Sequence, residues 1–128
     1  MEVILNDIKT MCVRADGGPV TAKAAFYKLE SKLESLRGRK FYGAICDGVY
    51  RACVELMGGD DPEKLGFETC IIPRGKYVQE KILDRVHHIA NIGPTFDKMT
   101  NQHEEDTQRP RLEFYKSQKE LLLFLPIK

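Results

Sequence analysis

The chain lacks any apolar run near the length needed to cross a bilayer. No secretion leader is expected, since Met1-Glu2-Val3-Ile4-Leu5-Asn6-Asp7 has neither a basic start nor a long apolar core. No membrane partner is expected, and the protein reads as cytoplasmic. Charge of either sign is not in excess: 20 Lys and Arg stand against 19 Asp and Glu, a net charge of +1. A dedicated nucleic-acid binder normally carries a basic patch, so none is expected here. The four cysteines, Cys12, Cys46, Cys53 and Cys70, include no Cys-x-x-Cys pair. They lie in stretches that read as strands, and the expectation is four reduced, mostly buried thiols.

Ready-made catalytic and metal signatures are scarce too. No serine-histidine-acid or cysteine-histidine motif stands out. Gly58-Gly59-Asp60-Asp61-Pro62 is glycine-rich but lacks the lysine and hydroxyl residue of a phosphate-binding loop. It reads as a solvated connection. His87 and His88 are adjacent, so on a helix they diverge by about 100° and do not chelate one ion together. His103-Glu104-Glu105-Asp106 reads as a solvated acidic loop. No cofactor and no metal are expected.

What is present suits one domain spanning residues 1–128, with 42% hydrophobic and 30% charged residues. A strand is expected within Met1 to Val13, and a turn at Asp16-Gly17-Gly18-Pro19. Pro19 or Thr21 opens a helix, along which Ala22, Ala25, Phe26, Leu29, Leu33 and Leu36 form one apolar stripe; Gly38 stops it. Arg39 to Cys46 and Val49 to Met57 flank Asp47-Gly48, a hairpin signal. Extended segments follow at Glu68 to Ile72 and Lys76 to Ile82, split by Pro73-Arg74-Gly75. Ile89, Ile92, Phe96 and Met99 have helical spacing, and the helix either starts near Asn91 or begins earlier and kinks at Pro94. Thr100 to Gln108 reads as a polar loop.

Two strands close the chain: Arg111-Leu112-Glu113-Phe114-Tyr115, which starts after Pro110, and the wholly apolar Leu121 to Ile127. Lys116-Ser117-Gln118-Lys119 joins them as a hairpin. Strand, helix, hairpin thus occurs twice. Phe26 and Leu29 recur as Phe96 and Met99, 70 positions on, and Phe41-Tyr42 as Phe114-Tyr115, 73 on. The fold class is α+β: a pseudo-twofold tandem repeat of strand-helix-hairpin units, with antiparallel sheets, both helices on one side and a ligand cleft on the other.

Arg109-Pro110-Arg111-Leu112-Glu113-Phe114-Tyr115, with the strand ending Pro126-Ile127-Lys128, resembles the gyrase-inhibitor-like (GyrI-like) effector-binding domains. Lys40-Phe41-Tyr42-Gly43, Tyr50-Arg51-Ala52-Cys53-Val54 and Ile72-Pro73-Arg74-Gly75-Lys76-Tyr77 resemble that family's pattern in the same order. The resemblance covers essentially the whole chain and implies a pocket for hydrophobic small molecules. Some members bind cationic drugs, some hydrolyse cyclopropane-bearing genotoxins, and some contact gyrase. With the first strand beginning at residue 2 or 3, no attached DNA-binding helices are expected and the domain reads as stand-alone.

Alternation assigns the faces. Leu112 and Phe114 are expected toward the helices, and Glu113 and Tyr115 away from them. By the repeat, Tyr42 joins Tyr115. One face of the last strand then has no helix to cover it, which makes a ligand cleft or a homodimer interface. The expected ligand-binding residues are Glu113, Tyr115, Tyr42, Tyr77, Leu122 and Phe124; in an enzyme, Glu113 and Tyr115 are the catalytic pair. The bland alternative for Glu113 is a solvated residue paired with Lys40 or Arg111. Within the family pattern Leu122 stands where some drug sensors carry a second acid, leaving a single carboxylate.

Overall fold

Asn6-Asp7 breaks the N-terminal strand in two, and the halves go to different parts of one sheet. The computed structural model describes residues 1–17, 21–84, 88–117 and 119–128; Pro19, His87 and Gln118 therefore lie outside the described residues. In chain order the elements are β1 (Glu2–Leu5), β2 (Ile8–Ala15), α1 (Ala22–Ser31), β3 (Phe41–Cys46), β4 (Val49–Glu55) and the short α2 (Pro62–Leu65). β5 (Glu68–Ile72), β6 (Gly75–Leu83), α3 (Ile92–Gln102), β7 (Arg111–Tyr115) and β8 (Glu120–Pro126) follow. None of these helices is long and apolar enough to cross a membrane.

The strands form one eight-stranded antiparallel sheet in the order β1-β6-β8-β7-β3-β4-β2-β5. Outward from the β3/β7 junction run β4, β2, β5 on one side and β8, β6, β1 on the other. The strand-helix-hairpin repeat is therefore present, related by a pseudo-twofold at that junction. Its register is not the expected one. Phe41 pairs with Tyr115, Tyr42 with Phe114 and Gly43 with Glu113, so odd-numbered residues of both strands share a face. A repeat shift that preserves the face must be even between these two strands. A shift of 72 carries Tyr42 onto Phe114, and these two rings stack across the junction at 4.8 Å.

Both helices lie on one side of the sheet. α1 packs Ala25 and Leu29 against Met11, Tyr50, Ala52 and Val54, while α3 packs Phe96 and Met99 against Val78, Ile82, Leu121, Leu123 and Leu125. α1 is shorter than its stripe suggests: it stops at Ser31, whose hydroxyl donates to the Lys28 carbonyl, and Leu36 is exposed. Leu33 still packs on the α1 core, but beyond it the segment has too little apolar surface to extend a helix. A 3-10 turn over Ile89–Asn91 leads into α3, which starts at Ile92. Pro94 therefore falls in the first helical turn, where its missing N–H leaves no internal bond unmade. α3 also extends to Gln102, into residues expected to be loop.

The helix-free face is the concave one. The sheet is strongly curled into a half-barrel, a shape that fits a ligand-binding cleft fold, and side chains pack together on its inner side. Tyr42, Tyr77, Leu112, Leu122, Phe124, Cys12, Cys53 and Ile72 make a buried cluster there. Tyr77 meets Phe124 edge-on and its hydroxyl donates to the Pro73 carbonyl at 2.8 Å. Curling supplied the cover that a flat sheet would have needed from another layer.

The glycine-rich loop is not merely solvated. Asp60 takes a bidentate pair from Arg39, at 2.6 and 2.7 Å, and accepts the Met57 backbone N–H at 2.8 Å. Asp61 caps α2 through the Lys64 N–H. Both Arg39 and Asp60 side chains are largely covered. Replacing Asp60 with Ala strands a covered guanidinium and a backbone donor together, and is expected to cost about 2–4 kcal/mol in urea unfolding. An unchanged midpoint would show that this pair is loose in solution.

Candidate functional site

The α1 core and the α3 core share no residue, and Glu113 lies at the seam between them. Its strand carries it there by alternation: Arg111, Glu113 and Tyr115 face the helices, while Leu112 and Phe114 face the inside of the half-barrel. This reverses the assignment expected from the sequence. The cause is that both faces of the sheet are apolar, so the apolar residues of β7 do not mark the helix side. On β8 the cross-strand neighbour of Glu113 is Leu123, not Leu122, which pairs with Phe114.

Glu113 is only 6% exposed. Its Oε1 accepts two hydrogen bonds, from the Tyr50 hydroxyl at 2.6 Å and the Tyr115 hydroxyl at 2.7 Å. The two hydroxyls stand 3.3 Å apart. Among the described residues no ion pair to Glu113 is formed: Arg111 instead holds Glu105 bidentately at 2.8 Å, with its guanidinium over the Phe96 ring. Two of the roughly four acceptor positions of the carboxylate are thus taken by neutral donors. Burial, and next the adjacent Glu113 charge, hold the Tyr50 phenol far above its usual titration range. Tyr50 is fixed as a donor.

Tyr50 reaches Glu113 by lying across Gly43. A methyl group on Gly43 would overlap the Tyr50 hydroxyl, and would stand 2.7 Å from the ring carbon bearing it and 2.8 Å from Glu113 Oε1. The bare backbone at this position is what lets hydroxyl and carboxylate meet. Over the tyrosines lies Phe26 of α1, edge-on to Tyr115 at 5.2 Å, Tyr50 at 6.3 Å and Phe41 at 6.4 Å. Phe26, Phe41 and Tyr115 are half-buried. The seam is therefore closed by packed aromatic rings over a buried carboxylate. Two open depressions of about 470 and 460 Å³ lie elsewhere, against Lys81, His88 and Lys98 and beside Asp84 and Lys119; Glu113 lines neither.

Of the six residues expected to bind ligand, Glu113 and Tyr115 come together here. Tyr42, Tyr77, Leu122 and Phe124 belong to the inner core on the opposite face, so Tyr42 gives Glu113 no hydrogen bond. Tyr50, Phe26 and Gly43 were not singled out as site residues. Tyr50 alternates with Ala52 and Val54 in β4, and that signal becomes readable only once β4 is known to lie two strands from β7. The acidic loop is tied down rather than free: Glu104 meets Lys128, Glu105 meets Arg111 and Asp106 meets Arg109.

One constellation was not expected at all. Cys12, Cys53 and Cys70 bring their three sulfurs within 4.8 Å of one another on the inner face. All four cysteines are free thiols.

No protein-family model and no curated protein matches the sequence. Solved structures resemble the fold over the whole chain. An integron cassette protein from the mobile metagenome of Vibrio cholerae is 16% identical, with a TM-score of 0.73 and 95% of its length covered. The protein SAV2435, bound to tetraphenylphosphonium, is 14% identical, with a TM-score of 0.62 and 93% covered. A hydrolase from Listeria innocua is 13% identical, with a TM-score of 0.54 and 90% covered. At these identities the likeness is one of fold.

Proposed function

We propose that this protein binds hydrophobic organic cations of small-molecule size in the cleft between α1 and α3, over Glu113. The observation that carries this is the buried carboxylate, held by Tyr50 and Tyr115 and, among the described residues, paired with no cation. A buried anion without a counter-charge is costly, and hydroxyl donors offset only part of that cost. An organic cation completes it. Phe26, Phe41 and the two tyrosines supply ring faces for cation–π attraction once Phe26 turns aside. Two likenesses support the reading: the GyrI-like pattern of the sequence, and a fold shared with a protein bound to tetraphenylphosphonium.

The test is Glu113→Gln, which keeps shape and removes charge. Affinity for a hydrophobic cationic dye is expected to fall about 10- to 100-fold, the scale of one charge-assisted hydrogen bond to a buried group. A neutral dye of similar size should bind almost as before. Equal affinity of both proteins for the cation would sink the proposal.

A second reading is hydrolysis, favoured by the fold shared with Listeria hydrolases and by a carboxylate already oriented through two hydroxyls. In it Glu113 is the base that positions and deprotonates water, with Tyr50 and Tyr115 steadying its charge. Here Glu113→Gln removes turnover of a reactive cyclopropane-bearing compound while leaving its affinity near normal. Binding and turnover measured on the one variant separate the two readings.

A further inference from the structure

We propose that Cys12, Cys53 and Cys70 form a binding site for a thiophilic ion that takes three sulfur ligands, with trivalent arsenic the chemistry that fits best. The site is independent of the cleft. Glu113 and its tyrosines face the helices, whereas the three thiols face the inside of the half-barrel on β2, β4 and β5. Cys12 and Cys53 are directly opposite one another in the β2–β4 ladder. Cys70 lies on β5, on the other side of β2, opposite Thr10. Three sulfurs thereby converge from three adjacent strands, all within 4.8 Å of each other.

That spacing is what a three-coordinate ion needs. Bonds of about 2.3 Å at angles between a right angle and the tetrahedral value place sulfurs about 3.3–3.8 Å apart. Cys12 and Cys70 stand closer, at 2.6 Å, and must part by about 1 Å on that same bond length. Cys70 can supply the movement, because it is half-buried while Cys12 and Cys53 are 2% and 0% exposed. It is also the way in for an ion. The Thr10 hydroxyl, donating to the Cys70 carbonyl at 2.8 Å and 3.4 Å from its sulfur, holds that strand in place.

Charge selects among thiophilic ions. On the buried side the neighbours are apolar, with Tyr42, Ile8 and Ile72 in the same cluster, and the charges acting on the sulfurs, Arg51 and Glu68, are one of each sign. A divalent ion on three thiolates leaves a net negative charge, which is costly to bury there. Arsenite, As(OH)₃, exchanges its three hydroxyls for the three thiols; three As–S bonds form, three As–O bonds break, and three waters leave with the thiol protons. The product is neutral and needs no fourth ligand. Among the described residues no fourth His, Cys, Asp or Glu joins the cluster.

The experiment uses the reduced full chain with arsenite, read by native mass spectrometry and by counting reactive thiols. The expected result is one arsenic per chain, a mass gain of one arsenic less three protons, and three thiols protected. Cys12→Ser and Cys70→Ser should abolish that tri-thiol adduct, and Cys46→Ser should leave it intact. Circular dichroism checks each fold, and the partly exposed Cys70 gives the variant least disturbed. No adduct at micromolar arsenite overturns the proposal. So does an adduct that survives Cys70→Ser, one that Cys46→Ser removes, or one-to-one Zn(II) binding without arsenite binding.

Discussion

Raised from pH 10 toward pH 12, the protein is expected to lose a large part of its stability. Tyr42, Tyr50 and Tyr77 are all buried, and burial raises each phenol above the ordinary value near 10. For Tyr42, burial and then the nearby Glu55 push it up to about 12. For Tyr50, burial, then Glu113 and Tyr115, raise it further. For Tyr77 burial outweighs the opposing effect of Arg109. The sign follows from proton counts. Below pH 10 both folded and unfolded chains keep these protons, so the three phenols add no slope. Above it the unfolded chain releases protons that the folded chain retains, and stability falls as pH rises. Tyr42 and Tyr50 each lose at most about 1.4 kcal/mol per pH unit, which comes to about 4 kcal/mol for the pair between pH 10 and 12, and Tyr77 adds in the same direction. That is a large fraction of the roughly 5–15 kcal/mol that stabilises an ordinary domain. The measurement is the urea midpoint against pH, followed beside tyrosinate absorbance. Ionisation of these tyrosines should coincide with loss of the circular dichroism signal. Full ionisation of all five tyrosines by pH 11 with the dichroism intact would overturn the burial argument.

The same tyrosines show where sequence stopped being informative. Local signals were readable: the stripes through Phe26 and Leu29 and through Phe96 and Met99 do face the core, and Asp47-Gly48 makes a hairpin with both residues at positive φ. So was the twofold plan of strand, helix, hairpin. What failed was parity. Matching Phe41-Tyr42 to Phe114-Tyr115 is a shift of 73, and an odd shift between β3 and β7 turns every side chain to the other face. Tyr42 was thereby grouped with Tyr115 when it stacks on Phe114. Nothing local corrects such an error here, because β8 is buried on both faces and the curled sheet makes a core of each. The three-thiol cluster was unreadable for a related reason. Cys12, Cys53 and Cys70 meet only because β5 returns to the far side of β2, a long-range pairing that no spacing along the chain encodes.

Gly43→Ala is the substitution expected to do most damage to the cleft for the fewest atoms. Gly43 lies in the middle of β3, hydrogen-bonded between β4 and β7, so its backbone has little freedom to retreat. An added methyl overlaps the Tyr50 hydroxyl and crowds Glu113 Oε1. Tyr50 is 1% exposed and held under Phe26, so its ring cannot swing into solvent without opening the α1 core. The outcome is overpacking together with a carboxylate that loses one of its two donors. Overpacking costs about 1–3 kcal/mol and a buried group left short of a partner about 1–3 more. A loss of about 2–5 kcal/mol is therefore expected in urea unfolding, with cation binding falling as the Glu113 geometry is lost. A double-mutant cycle identifies the cause. Tyr50→Leu takes away the hydroxyl and ring edge that the methyl strikes, so Gly43→Ala should cost far less in a Tyr50→Leu background than alone. If instead the two changes add, Gly43 is needed for the strand itself, and the close approach of Tyr50 to Glu113 is not what the glycine is there to permit.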